Sequence, residues 1–368
     1  MGDMQKILSP FFENSSLKRG LPAAAYTSHE FWEAECQTVF RRNWICVGFA
    51  HELKESGDAV PVTIANMPLL IVRNTKGEIK AFHNICRHRC LTLVDEPKNV
   101  GKLIRCPYHA WAYDLDGRLR AAPHFGGPNQ HNHEDFDKKA NGLIPIRTQV
   151  WNDWIFVNIN GDAEQFGEYS ATLQGRLDGM EWSKVDCVAT LDFGEVACNW
   201  KFIMENFIEP YHVQFVHSTT TDQPLEDHYT IIDGNCMGSA VDLEEEIGTS
   251  GSLGVSSRYL AMYPNFILGR YFPNQIGVYL NIPTGPGTLL QKRAIYTTDG
   301  QFMDVHDVKA LKNLWWDVHK EDHEMTERLQ LGRASSIADE GGVLSPAWED
   351  SVRHFQDLIA KDVATENS

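Results

Sequence analysis

Four residues on two short segments have the chemistry of metal ligands. Cys86-Arg87-His88 is followed by Cys106-Pro107-Tyr108-His109, which gives the spacing C-x-H-x17-C-x2-H. Two thiolates and two imidazoles can hold a structural zinc with S2N2 donors. Zinc ligand pairs usually share one residue type within a segment, whereas here each segment offers one Cys and one His. That mixed pairing suits a two-iron cluster, with both thiolates on one iron and both imidazoles on the other. Exchanging two thiolates for neutral imidazoles raises the reduction potential of such a cluster. Zinc stays open as the alternative reading of the same four residues.

A second group lies in residues 199–217, NWKFIMENFIEPYHVQFVH. Glu209, His212 and His217 are candidate ligands. On a helix, Glu209 and His212 are three apart and share a face. His212 and His217 are five apart, about 140° around an ideal helix. A helix aiming both at one metal must break or bulge between them, as π-bulges do at functional sites. Two surface or capping histidines would explain the same spacing. A carboxylate-bridged di-iron site needs two Glu-x-x-His motifs. Of the 15 histidines, only His212 has a Glu three residues before it.

The elements that must position these residues follow from periodicity. Residues 27–44 read as a helix, with Thr27-x-x-Glu30 as a capping box and Trp32, Cys36, Phe40 and Trp44 every fourth residue. From 58 to 158 the period becomes two, with turn signals at Asn74–Gly77 and Asp116-Gly117. His83 reads as a strand residue there. The His-, Asn-, Gly- and Pro-rich run 120–142 reads as a loop. Residues 199–217 look helical, and 228–243, 259–272 and 276–298 look like strands. The longest helical pattern is 304–331, with Val308, Leu311, Trp315, Val318, Met325 and Leu329 on one side. Ser345-Pro346 reads as the start of a last helix. Strands and helices without strict βαβ alternation imply an α+β fold. A chain of 368 residues suggests two domains, 45–158 and 1–44 with 159–368.

Composition narrows the function. Lys+Arg number 33 and Asp+Glu 50, a formal charge of −17, which argues against a nucleic-acid backbone or an anionic membrane as partner. A hydrophobic fraction of 42% excludes wholesale disorder. No run of about 18 apolar residues suggests a membrane span, and the N-terminal segment lacks an apolar signal core. A cytoplasmic protein is expected. The 8 cysteines are too sparse for a disulfide scaffold. No G-x-G-x-x-G follows a strand, and the glycine-rich GTSGSLG at 248–254 has the wrong spacing, so nicotinamide and flavin are expected to bind elsewhere.

The span HNICRHR…CPYHAWAYDLDG resembles the Rieske domain of ring-hydroxylating and related oxygenases. Two positions depart from the family pattern: Arg87 stands where Pro or Ser is common, and Cys90 where Gly or Ala is common. Neither removes a ligand. Cys90 reads as a structural thiol, although it could compete as a thiolate. Residues 205–217 resemble the same family's motif E-N-x2-[D/E]-x2-H-x4-H, fitted as Glu205-Asn206-x2-Glu209-x2-His212-x4-His217. The resemblance, to the terminal oxygenase (alpha) subunit of Rieske-type non-haem iron oxygenases, covers about 26–360. It implies a small antiparallel β domain holding a [2Fe–2S] Rieske cluster on Cys86, His88, Cys106 and His109. It also implies a larger helix-grip (START-like) catalytic domain with an antiparallel sheet and long helices. There His212, His217 and, by resemblance, Asp322 would ligate a mononuclear Fe(II), while Asn206 and Glu209 serve catalysis without ligating. Asp317, Glu321 and Glu324 are the rival carboxylates on the same helix. Glu209 would link His212 of its own chain to His109 of a neighbouring chain.

The resemblance further implies O2 as co-substrate, a separate NAD(P)H-dependent flavin/iron–sulfur reductase and a homotrimer. If the two sites of one chain are too far apart, a ring of three closes the electron circuit symmetrically. Glu at 209, the NWK before the motif and the N-terminal pattern YTSHEFWEAECQTVFRRNWICVG are similar to choline monooxygenase and to carnitine and betaine oxygenases. The expected reaction is therefore monooxygenation or oxidative N-demethylation of a quaternary ammonium compound. An aromatic ring-hydroxylating dioxygenase, an O-demethylase, a Rieske electron carrier and a zinc-stabilised binding protein are the alternatives. An onium group has no proton to donate, so aromatic faces must recognise it. Phe207, Tyr211, Phe215, Tyr259, Tyr263, Phe266, Tyr271 and Tyr279 are candidates, with Arg258 or Arg270 for a substrate carboxylate.

Overall fold

The computed structural model describes residues 3–243, 254–298, 300 and 303–364. The glycine-rich stretch, up to residue 253, lies outside the described residues. The chain divides into one unit of 44–163 and a second of 1–43 with 164–368.

The first unit is all β. Its strands are β1 (Ile45–Phe49), β2 (Asp58–Ile64), β3 (Met67–Arg73), β4 (Ile79–His83), β5 (Lys98–Asn99), β6 (Leu103–Arg105), β7 (Ala112–Asp114), β8 (Leu119–Ala121), β9 (Pro145–Trp151) and β10 (Trp154–Asn158). One antiparallel sheet runs β1-β10-β9-β4-β3-β2-β5, and a second runs β6-β7-β8. The Asn74–Gly77 and Asp116-Gly117 signals are the β3–β4 and β7–β8 turns, and both glycines take the left-handed φ such turns need, 80° and 83°. Leu70, Val72, Phe82, Ile104, Trp111 and Tyr113 bury one core, which also encloses Cys86 and Cys106.

The second unit carries β11 (Asp186–Val196), β12 (His228–Asp233), β13 (Cys236–Val241), β14 (Ser257–Met262), β15 (Phe266–Tyr271), β16 (Gln275–Gly285) and β17 (Thr288–Thr297). They form one antiparallel sheet, β11-β17-β16-β15-β14-β13-β12. Strand β11 has no expected counterpart, because its pattern is half-exposed and broken by bulges near Cys187 and Asp192. The long helix Val305–Gly332 lies on this sheet through Trp315 and Val318, which pack with Leu191, Tyr271 and Ile295.

Three helix boundaries differ from the sequence reading. The 27–44 helix is built in pieces. Ser28, not Thr27, caps His29–Glu35 by accepting from the Phe31 N–H, while the Thr27 hydroxyl turns back to the Ala23 carbonyl. The last helix starts at Asp350, not at Pro346, with Ser345 accepting locally from the Ala347 N–H. The 199–217 segment ends its first helix, Trp200–Ile208, at an extended Glu209 before Pro210. A residue preceding proline is pushed out of the α region, so the break falls ahead of both histidines rather than between them.

The Asn199-Trp200-Lys201 sequence anchors that helix. Asn199 caps it by accepting from the Lys201 N–H. The Lys201 ammonium donates to Glu35 at 2.7 Å with both side chains fully enclosed, and Trp200 Nε1 donates to the same carboxylate at 3.3 Å. Glu205 points into this core, where it accepts from Tyr26 and Gln356.

Candidate active site

The two cysteine segments are copies of one backbone device. Cys86 N–H donates to Leu91 O and Cys90 N–H to Cys86 O; Cys106 N–H donates to Trp111 O and Ala110 N–H to Cys106 O. The fifth residue of each turn is left-handed, Cys90 at φ 58° and Ala110 at φ 57°. Gly enters this region freely and Asn or Asp at modest cost, so Cys90 and Ala110 both carry a Cβ penalty there. Cys90 is exposed at the left-handed position of its turn. Cys86 and Cys106 are buried at the base of the turns, and His88 and His109 are exposed at the tips with ring centroids 4.7 Å apart. His88 stacks on Trp111 at 5.0 Å. Burial, His109 and Arg89 together push its pKa down, which keeps the imidazole neutral and able to ligate.

These four residues fit a two-iron cluster better than zinc. Tetrahedral ligands of one zinc stand within about 4 Å of each other. Among the described residues, three donors within 4.8 Å of one another occur at His212, His217 and Asp322, but not within this set of four. Tyr113 adds a further fit. Its oxygen accepts from the Arg87 N–H at 3.0 Å and lies 3.3 Å from Cys86 Sγ, where either group can donate to a thiol but only the tyrosine can donate to a thiolate. Hydrogen bonds to cluster sulfurs tune the potential. The departure at Arg87 thus supplies a backbone donor that proline lacks.

In the second unit, His212 and His217 bracket a single helical turn, Val213–Val216, His212 at its N-cap and His217 at its C-cap. Asp322 approaches from the long helix. His217 Nε2 is 3.0 Å and His212 Nε2 3.8 Å from Asp322 Oδ1. Neighbouring ligands on an octahedral ion at about 2.1 Å stand about 3 Å apart, so the group matches a facial 2-His-1-carboxylate set. Asp322 lies on the buried stripe of its helix with Trp315, Val318, His319 and Thr326. Asp317 and Glu324 are exposed.

Each histidine is held from behind by a carboxylate. Glu209 Oε1 is 2.5 Å from His212 Nδ1, and Glu321 Oε2 is 2.7 Å from His217 Nδ1. Glu209 also accepts from the Tyr211 and His212 N–H groups, and Glu321 from Thr220 at 2.7 Å. A carboxylate only accepts, so both Nδ1 atoms carry the proton and both Nε2 atoms face Asp322. Asn206 donates to Asp322 Oδ1 at 2.9 Å. Burial opposes charge on both His217 and Asp322, yet their attraction wins: His217 rises to about 9, and Asp322 falls well below the usual carboxylate range. Glu321 ranked only as a rival ligand in the sequence; its role needs the tertiary position of Thr220 and His217.

The three donors open on a cavity of about 450 Å³, solvent mouth included. Phe207, Tyr259, Tyr271 and Tyr279 line it, joined by Trp315 and Val318, which the sequence had placed only on the apolar side of the long helix. The other expected aromatics do not. Tyr211 and Phe215 are exposed, Tyr263 donates to Asp362, and Phe266 is core. Arg258 pairs with Asp242 at 2.6 Å, and Arg270 lies over Phe272, so neither reaches the cavity.

Fold and donors together define a Rieske non-haem iron oxygenase. Residues 175–365 match the family "Ring hydroxylating alpha subunit (catalytic domain)", and residues 43–132 match the Rieske [2Fe–2S] domain; the chain belongs to this family, whose cofactors are a Rieske cluster and a mononuclear iron. Among its relatives is the carnitine monooxygenase oxygenase subunit of Escherichia coli, 28% identical over 93% of both chains. The glycine betaine monooxygenase oxygenase subunit of Pseudomonas aeruginosa is 35% identical over 56% of this chain and 46% of its own. A solved quaternary ammonium Rieske monooxygenase, described with carnitine oxidation and inter-subunit electron transfer, superposes with a TM-score of 0.78 at 23% identity, covering 97% of this chain and 98% of that one. Among the described residues no helix is long and apolar enough to cross a membrane.

Proposed function

We propose that this chain is the oxygenase component of a multicomponent monooxygenase acting on a quaternary ammonium compound. The observation that carries the reading is the triad of His212, His217 and Asp322 opening on an aromatic-walled cavity. Cys86 and Cys106 hold one cluster iron and His88 and His109 the other. When bound, the cluster relays single electrons and the iron provides the open positions for O2. Glu209 and Glu321 fix the tautomers of His212 and His217, and Asn206 orients Asp322. Phe207 and the cavity tyrosines offer ring faces to an onium group, each worth about 0.5–2 kcal/mol.

One oxygen atom enters a C–H bond and the other leaves as water, with two electrons from a separate NAD(P)H-dependent flavin/iron–sulfur reductase. Hydroxylation of an N-methyl group collapses to the demethylated amine and formaldehyde. The chain works as a homotrimer in the cytoplasm, where a reducing milieu suits cysteines that form no disulfide among the described residues. Glu209, bound to His212, then receives His109 of a neighbouring subunit. Glu209→Gln should slow single-turnover cluster oxidation about 10-fold or more with both metal sites loaded; a fully active monomer would contradict this assembly. The substrate test is O2 uptake coupled to product with choline, glycine betaine, carnitine and proline betaine beside benzoates and simple arenes. Tight coupling to an uncharged arene with no response to any quaternary amine reverses the assignment.

A further inference from the structure

A second hollow lies beside the triad. It encloses about 270 Å³, its opening included. Asn206, Phe207, Tyr279 and Asp322 line both it and the main cavity, so they form the partition between the two. The rest of its lining divides by chemistry. Ile203 and Ile267 are apolar, whereas Gln291, His319 and His323 bring polar atoms. Of the three iron donors, Asp322 alone lines this hollow.

His319 is the residue that needs a reason. It stands on the long helix one turn before Asp322 and is 2% exposed. Among the described residues neither Nδ1 nor Nε2 has a hydrogen-bond partner. Its ring packs against Phe193 and Tyr279, with centroids 3.8 and 4.8 Å away. Burial and the charge of Arg293 push its pKa well down, so the imidazole is neutral, with one nitrogen to donate and one to accept. Its neighbours in the hollow are already fixed. His323 Nε2 is 2.6 Å from Gln291 Oε1, and Gln291 Nε2 donates to Asn281 Oδ1 at 2.8 Å. Buried polar groups that the protein leaves unpaired are satisfied by ordered water where there is room for it. The hollow that His319 lines is the space from which such a partner reaches it.

Monooxygenation has a use for water at this place. R–H and O2 take up two electrons and two protons and give R–OH and H2O. Substrate fills the main cavity during the reaction, so protons and product water need another way past the donors. We propose that the second hollow is a water site held by His319, and that it carries protons in and product water out along the Asp322 side. His319 is a positioning residue: its N–H and its free lone pair hold the water, and the ring itself keeps its charge. This rests on the monooxygenase reading and is independent of which substrate is oxidised.

The test has a structural and a kinetic arm. A high-resolution crystal structure of the holoenzyme should show an ordered water within hydrogen-bond distance of a His319 nitrogen, and a dry hollow overturns the proposal. His319→Phe keeps a ring against Phe193 and Tyr279 but removes both nitrogens. With a reconstituted reductase and any coupled substrate, it should lower kcat roughly 10-fold with KM held within about twofold. It should also raise the solvent deuterium isotope effect and divert O2 to hydrogen peroxide. His319→Gln, which can donate and accept, should restore most of the coupling. Iron content and cluster absorbance establish that each variant is loaded. If His319→Phe does not load, Ile203→Phe, which fills the hollow and leaves His319 in place, is read in the same way. A loaded variant with wild-type kcat, coupling and isotope effect overturns the proposal. Wild-type enzyme that oxidises no substrate removes the monooxygenase reading instead, and the structural arm still decides whether His319 holds water.

Discussion

The two metal-binding regions are built by opposite strategies. The cluster region is local: two turns of the same backbone form, each carrying one buried Cys and one exposed His, with Tyr113 beside one sulfur. The iron region is assembled: two histidines around one helical turn meet a carboxylate from another helix, under a second layer of Glu209 and Glu321. The first presents its imidazoles outward, as a relay must. The second encloses its donors against aromatic rings, where a substrate can be held away from water. The protonation of the imidazoles differs accordingly. His88 is biased toward neutrality, whereas His217 sits beside Asp322 and rises to about 9, so metal binding there displaces a proton.

The largest expected effect isolates the assembled site. Asp322→Ala should remove mononuclear iron and reduce turnover to background, with the cluster spectrum intact; metal analysis and absorbance read both. Normal activity would assign the third ligand to another carboxylate. The converse change acts on the local site. His109→Cys adds a thiolate charge and should lower the cluster potential by on the order of 100 mV, measured by redox titration, while mononuclear iron is retained. An unchanged potential would remove His109 from the cluster.

The second layer gives the next contrast. Glu321→Gln weakens the hold on His217 Nδ1 and should cost about 10- to 100-fold in iron affinity, read by chelator competition. No change would make Glu321 an ordinary surface carboxylate. The smallest effect belongs to the turn residue. Cys90→Ala reproduces what Ala110 does in the companion turn and should leave the cluster spectrum as it is, with stability changed by less than about 1 kcal/mol. Loss of the cluster would make Cys90 a ligand after all.

The sequence by itself offered Cys86, His88, Cys106 and His109 as candidate cluster ligands, because they sit close together on turns whose form is set by a few residues. It offered His212 and His217 as candidate iron ligands as well, and through family resemblance it pointed to Asp322, which the fold brings beside them. It misplaced the helix break, since the angle between His212 and His217 set it between them and the effect of Pro210 on Glu209 was not read. Strand β11 was missed because a half-exposed, bulged edge strand carries little periodic signal. Only the tertiary structure decided which charges face the cavity. Arg258 and Arg270 turn away toward Asp242 and Phe272, while Arg293 stands behind Tyr271, Tyr279 and Trp315. Alternation along a strand assigns a side chain to one of two faces, but what waits on that face comes from strands and helices distant in the chain.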